Sequence, residues 1–149
     1  MVKIKKFNND TISQAVNELI NGNLISFPTE TVYGLGADAT NDKAVAKIFS
    51  NKERPSFNPL IVHVESLDQA KKIALFNEKI EKIIDKFWPG PLTIVLDRAK
   101  KSNISLLVSS GLKTIALRQP KNEIALNLIK KLNKPIAAPS ANKFGLLSP

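Results

Sequence analysis

The chain has 149 residues, 43% of them apolar, and carries 22 basic against 13 acidic side chains for a formal charge of +9. That length supports one compact domain with a sizeable core, and no long hydrophilic stretch offers a linker. The absence of cysteine excludes disulfides, thiolate metal sites and cysteine nucleophiles, and the single histidine, His63, cannot build a multi-histidine metal site.

The longest apolar runs, such as Leu106–Val108 and Ile136–Ala138, are far too short to cross a bilayer, and the N-terminus lacks a signal-type apolar stretch. The chain therefore reads as cytoplasmic, with no membrane role. Nine Lys/Arg against one acid, Glu123, fall between Arg98 and Lys134, a stretch suited to a nucleotide or RNA. The competing reading is a Lys-, Asn- and Ile-rich coding bias that simply fills the surface with lysine. Against that background the three arginines, Arg54, Arg98 and Arg118, mark positions where a planar fork of donors is needed.

In chain order, Asp10 or Thr11 caps a helix with Ile12, Val16, Leu19 and Ile20 at helical spacing, and Gly22 ends it. Leu24–Phe27 is a short strand, and Pro28–Thr40, broken by proline and glycine, is a long ordered loop. Asn41 or Asp42 caps a second helix with Ala44, Val45, Ile48 and Phe49 on one face, followed by the polar turn Asn51–Pro59 and a strand at Leu60–Val64. Ser66–Ala74 and Asn77–Phe87 are further helices, the second burying Ile80, Ile83, Ile84 and Phe87 before Pro89-Gly90-Pro91 stops it. Leu92–Leu96 and Thr114–Leu117 are strands, Glu123–Leu132 is the last helix, and Pro135–Ala138 is the last strand. Strands separated by helices predict an α/β domain.

Four constellations carry chemistry, three of them following strands where open α/β sheets place ligands. Phe27-Pro28-Thr29-Glu30-Thr31-Val32-Tyr33-Gly34-Leu35-Gly36 gathers hydroxyls, a carboxylate and a phenol; it is either a ligand loop or a turn whose hydroxyls bond backbone. Lys52-Glu53-Arg54-Pro55 with Asn58-Pro59-Leu60 and His63 is the second. If extended, it points Lys52 and Arg54 the same way to grip a polyphosphate; the alternatives are a solvated helix end and a core histidine. Lys113–Arg118 is a strand that delivers Arg118 at its end. Ala138-Pro139-Ser140-Ala141-Asn142 is either a functional polar loop or a cap or turn. Trp88 has a packing reading, with an indole N–H that needs a partner. No Walker-type loop is present, so any nucleotide rests on strand-end loops, helix N-termini and cations.

Together these pieces resemble the YrdC-like family of L-threonylcarbamoyladenylate synthases, in order and from about Ile12 to Pro149. The Pro-Thr-Glu-Thr-Val-Tyr-Gly-Leu-Gly run, Lys-x-Arg-Pro with Asn-Pro-Leu and His, Pro89–Thr93, and Ser-x-Asn all agree with its pattern. The resemblance implies a twisted mixed sheet with helices packed on it and a concave basic face. It also implies a nucleotidyltransferase reaction joining L-threonine, bicarbonate and ATP into threonylcarbamoyl-AMP with release of pyrophosphate, magnesium arriving with the nucleotide. A downstream threonylcarbamoyl transferase complex then modifies tRNA, which the basic face could also meet. By the same resemblance Lys52, Arg54, Ser140 and Asn142 form the catalytic signature; Thr31, His63 and Arg118 hold L-threonine; and Arg54, Asn58, Thr114, Ser140 and Ser148 contact ATP.

Two departures accompany it. A hydroxyl often found in the family's threonine site is replaced here by Ala138 or Pro139. The family's domain also continues past Ser-Pro, so residues 1–149 are expected to be a YrdC-like catalytic domain lacking its last C-terminal strands. The rivals are a non-catalytic RNA-binding YrdC-like module and a carbamoyl-transfer domain of hydrogenase-maturation type. The intact Lys-x-Arg and Ser-x-Asn pairs speak against the first, and the missing cysteine-bearing domains against the second.

Overall fold

The computed structural model describes residues 4–148; Pro149, where the sequence resemblance ends, lies outside them. Helix α1 (Asn9–Ile20) starts at Asn8 rather than at Asp10 or Thr11. Asn8 accepts from the Thr11 amide while the Thr11 hydroxyl accepts from the Asn8 amide, and Asp10 sits in the first turn, where a negative charge favours the helix dipole. Gly22, at φ +72°, ends the helix as expected.

Strand β1 (Ile25–Phe27) is followed by β2 (Gly34–Asp38), which lies inside the segment expected to be a loop. Its sequence, Gly-Leu-Gly-Ala-Asp, has poor strand propensity; its pairing with neighbours on both sides overrides that preference. Gly36 explains the composition. A Cβ there would lie 2.7 Å from the Phe27 ring and 2.8 Å from Ile136 Cγ2, so no larger residue fits the seam.

The remaining elements follow the expected order: α2 (Asp42–Lys52), β3 (Ile61–His63), α3 (Leu67–Lys71), α4 (Glu78–Phe87), β4 (Ile94–Asp97), β5 (Thr114–Arg118), α5 (Glu123–Leu132) and β6 (Ile136–Ala137). The six strands form one open mixed sheet in the order β1-β2-β6-β3-β5-β4, with β3 and β5 parallel and every other pair antiparallel. Helix α4 buries a narrower stripe than its sequence suggests. Ile84 is buried and Ile80 partly so, whereas Ile83 and Phe87 are exposed, because α4 presents one i, i+4 edge to the core. Trp88 is buried, and its indole N–H donates to the Leu92 carbonyl at 2.8 Å.

Cross-strand partners share a face, and this register divides the sheet. One face packs Ala37, Val62, Ala137, Ile115 and Leu117 against Ala44, Val45 and Ile48 of α2 and the helices beyond. On the other, α1 and α5 cover only the β1-β2-β6 half, over Phe27, Ile136 and Ala138. The same face continues uncovered by those helices across Ile61, His63, Ala116, Arg118 and Val95, which the pairs Ile61–Ala116, His63–Arg118 and Val95–Ala116 align. Val95 is 62% exposed there, and Thr114 and Ala116 are half-buried. This uncovered half-face is where the polar groups gather.

Candidate active site

His63 and Arg118 end adjacent parallel strands and stand opposite each other in register. Both are buried, which is unusual for a guanidinium unless its donors are paired. Arg118 Nε donates to the Gly90 carbonyl at 3.3 Å, and Nη2 donates to Glu30 Oε1 and, at 3.1 Å, to the Thr31 hydroxyl. The Gly90 carbonyl is a fixed acceptor, since a Cβ on that residue would lie 2.4 Å from the Phe87 oxygen and only glycine fits.

The loop after β1 is organised by its own hydroxyls. Thr29 Oγ1 accepts from the amides of Thr31 and Val32 and donates to the Val32 carbonyl at 2.7 Å. With its proton committed there, Thr29 is the acceptor in the 3.0 Å contact between the two threonine hydroxyls, and Thr31 is the donor. Thr31 thus accepts from Arg118 and donates to Thr29, so the loop's hydroxyls bond backbone, as the turn reading expected, and also contact the arginine.

The second cluster surrounds the end of α2. Lys52 is the last helical residue and Glu53 turns left-handed at φ 52°, so the segment is not extended and the two cations reach different partners. Lys52 is 2% exposed; its ammonium donates to the Ser140 carbonyl at 2.6 Å and to the Asn142 carbonyl. Arg54 Nε and Nη2 donate to the carbonyls of Asn58 and Pro59 at 3.1 and 2.9 Å, and its guanidinium lies 5.4 Å from the Phe144 ring centroid. Burial, and then the neighbouring Arg54, lower the Lys52 pKa from its ordinary value; burial lowers that of Arg54.

Asn142 Nδ2 donates to the carbonyls of Lys143 and Leu146, and Ser148 Oγ approaches Asn142 Oδ1 at 3.4 Å. Thr114 stands apart, half-buried on the uncovered face of β5, and Asn58 joins the cluster through its backbone carbonyl. The third arginine, Arg98, forks the carbonyls of Ile104 and Ser105 and is structural.

A backbone seam joins the two clusters. Gly34 bridges to Ser140, the Leu35 amide donates to the Pro139 carbonyl at 2.9 Å, and the Ala141 amide donates to the Tyr33 carbonyl at 2.8 Å. The loop that positions Thr31 is therefore zipped to the loop that Lys52 holds.

Comparison with known proteins agrees with this architecture. Residues 17–149 match the Sua5/YciO/YrdC family, described by the words telomere recombination. The chain is 49% identical over 129 residues to a threonylcarbamoyl-AMP synthase of Pyrococcus abyssi, covering 86% of this chain and 37% of that protein. It is 46% identical over 143 residues to the threonylcarbamoyl-AMP synthase of Bacillus subtilis, covering 95% and 41%. The crystal structure of P. abyssi Sua5 complexed with L-threonine superimposes with a TM-score of 0.92 at 44% identity, covering 97% of this chain and 42% of that one.

The chain belongs to the Sua5/YciO/YrdC family. It spans about two fifths of the length of these relatives. Among its described residues no helix is long and apolar enough to cross a membrane.

Two members of the polar assembly were not singled out from sequence. Glu30 stood among the Pro-Thr-Glu-Thr residues with no role attached, yet its carboxylate meets Arg118 and two backbone amides. Phe144, an aromatic in an otherwise small and polar stretch, is the visible trace of the Arg54 stack.

His63 gives the site of this Sua5/YciO/YrdC chain a pH signature. Burial first, then the charge of Arg118, push its pKa down to about 4 despite the opposing charge of Glu30, and its Nδ1 has no hydrogen-bond partner among the described residues. Because the folded value lies below the ordinary 6.5, the unfolded chain binds the extra proton first. Stability contributed by the neutral imidazole is complete above the unfolded value and is lost as pH falls toward about 4. The urea midpoint should therefore drop between pH 7 and pH 5, and His63→Gln should flatten that slope. Equal slopes in the two proteins would remove His63 as the titrating group.

Proposed function

We propose that residues 1–149 are a catalytic domain that makes threonylcarbamoyl-AMP from L-threonine, bicarbonate and ATP. The observation that carries this reading is the seam itself, on a chain similar to named threonylcarbamoyl-AMP synthases. The cluster of Arg118, His63 and Thr31 is joined through the backbone to the Ser140–Asn142 loop that Lys52 secures. Adjacent sites for an amino acid and a nucleotide are what an adenylate-forming reaction requires, since positioning supplies much of the rate.

In this reading Arg118 pairs with the carboxylate of L-threonine while Thr31 and His63 flank it. Arg54, Asn58, Thr114, Ser140 and Ser148 face ATP. The threonine amine attacks the bicarbonate carbon, water leaves, and a carbamate oxygen attacks the α-phosphorus so that pyrophosphate departs. Negative charge grows at the carbamate and again on the phosphates, and Arg54 with magnesium brought by ATP offsets it. In this reading magnesium is carried by the nucleotide. With a pKa near 4, His63 is a poor acceptor for the amine proton, and its role is positional. Ser140 orients the carbamate without forming a covalent intermediate.

The product, a mixed anhydride, feeds a downstream threonylcarbamoyl transferase acting on tRNA in the cytoplasm, and the excess of basic residues gives tRNA a surface to approach. The test is pyrophosphate release by the purified chain with each substrate omitted in turn. Release that needs threonine, bicarbonate and ATP together supports the reading. tRNA binding without turnover would favour the non-catalytic module, and carbamoyl-phosphate dependence the hydrogenase-maturation type.

A further inference from the structure

We propose that Glu30 is the positioning residue that fixes the free edge of Arg118 toward the substrate carboxylate; the identity of that carboxylate rests on the function proposed above. Both Glu30 oxygens are engaged across the fold. Oε1 accepts from Arg118 Nη2, and Oε2 accepts from the amides of Lys121 at 2.9 Å and Asn122 at 3.2 Å, in the turn that caps α5. A carboxylate held at both ends cannot rotate, so it sets the guanidinium in one plane.

The consequence lies in which donors remain. Gly90 takes Nε, and Glu30 with Thr31 takes Nη2. Nη1 has no hydrogen-bond partner among the described residues and is not one of the buried unpartnered atoms, so it keeps some exposure and is the nitrogen left to meet a ligand. Without Glu30 the guanidinium could turn about its last bonds and present any edge. With it, one edge is offered and the flanking donors are already matched, which is the preorganisation that strengthens a charge-assisted bond.

Glu30 is suited to holding this pose at working pH. Burial alone raises its pKa, but the Arg118 bond, the backbone donors and the Arg118 charge together bring it below the ordinary 4.5, so it stays ionised. Arg118 and the adjacent His63 are the titratable groups that face it across the site, and Lys121 follows in the anchoring turn.

Glu30→Gln tests the idea with minimal change of shape. Its amide cannot accept at both ends, so one tether must break. L-Threonine binding by calorimetry, ATP binding by the same method, and the Arg118 Nε–H signal in nitrogen-15 spectra are compared with the parent chain. The expected result is threonine affinity weakened about tenfold, ATP affinity unchanged, and the Arg118 signal lost to faster exchange, at the scale of one charged hydrogen bond. Glu30→Asp, one methylene shorter, should restore part of the affinity. A lowered melting temperature with unchanged threonine affinity would make Glu30 a structural staple and overturn the proposal. If the parent chain binds no threonine, the functional reading fails by itself. The Arg118 signal then decides the positioning role, an unchanged signal in Glu30→Gln overturning it and a lost one upholding it.

Discussion

Arg118→Lys is expected to weaken L-threonine binding about 30- to 150-fold, the equivalent of ~2–3 kcal/mol for a charged hydrogen bond lost in a buried setting. Lysine retains the charge, so Glu30 is not left facing an empty space. A single ammonium nevertheless cannot satisfy the Gly90 carbonyl, Glu30 and Thr31 in one plane while presenting a further edge to a ligand. ATP affinity should stay within about threefold, because Arg118 shares no hydrogen-bond partner with the Lys52 and Arg54 cluster. Calorimetry with each ligand separately checks both halves. Threonine affinity within threefold of the parent would show that the guanidinium is a structural fork, as Arg98 is.

Lys52→Met should reduce pyrophosphate release at least about 100-fold while leaving threonine affinity nearly intact. Methionine keeps a buried stem of similar length but deletes the donor shared by the Ser140 and Asn142 carbonyls. Each orphaned acceptor costs about 1–3 kcal/mol, enough to release the Ala141–Ser148 segment from the end of α2. That release has its own readout. The Phe144 amide, which donates to the Lys52 carbonyl at 3.2 Å, and the Ala141 amide, which donates to Tyr33, should exchange hydrogen faster in the variant. Lost turnover with unchanged exchange would mean that Lys52 meets the nucleotide directly. The geometry favours positioning, since two of its three donors are already engaged by backbone.

The helices were legible because their information is local. Asn41, Asn77 and Asn122 each cap the helix that follows, and α2 and α5 bury the faces their spacing marks. The strands adjoining the site were also legible, down to Arg118 at a strand end. What escaped depended on distant chain. Gly34–Asp38 becomes a strand through its partners in β1 and β6, and Gly36, which suggests a loop, is there because Phe27 and Ile136 leave no room for a side chain. The shared direction of Lys52 and Arg54 failed because Glu53 takes a left-handed conformation that few non-glycine residues adopt. Glu30 was invisible as a structural hub because its partners lie 88 to 92 residues away, a relation no local pattern encodes.

The motifs carry the family likeness, and the fold brings their residues together. Arg118 is set by Glu30, Thr31 and Gly90, and Ser140–Asn142 is set by Lys52.

Synthesis of the adenylate is tested by mass spectrometry of the product formed by the purified 149-residue chain from ATP, L-threonine and carbon-13 bicarbonate. The expected product is a threonylcarbamoyl-AMP one mass unit heavier than with unlabelled bicarbonate, with the label in the carbamoyl carbon. Threonyl-AMP without the label, or no adenylate while threonine and ATP both bind, would contradict the proposed reaction.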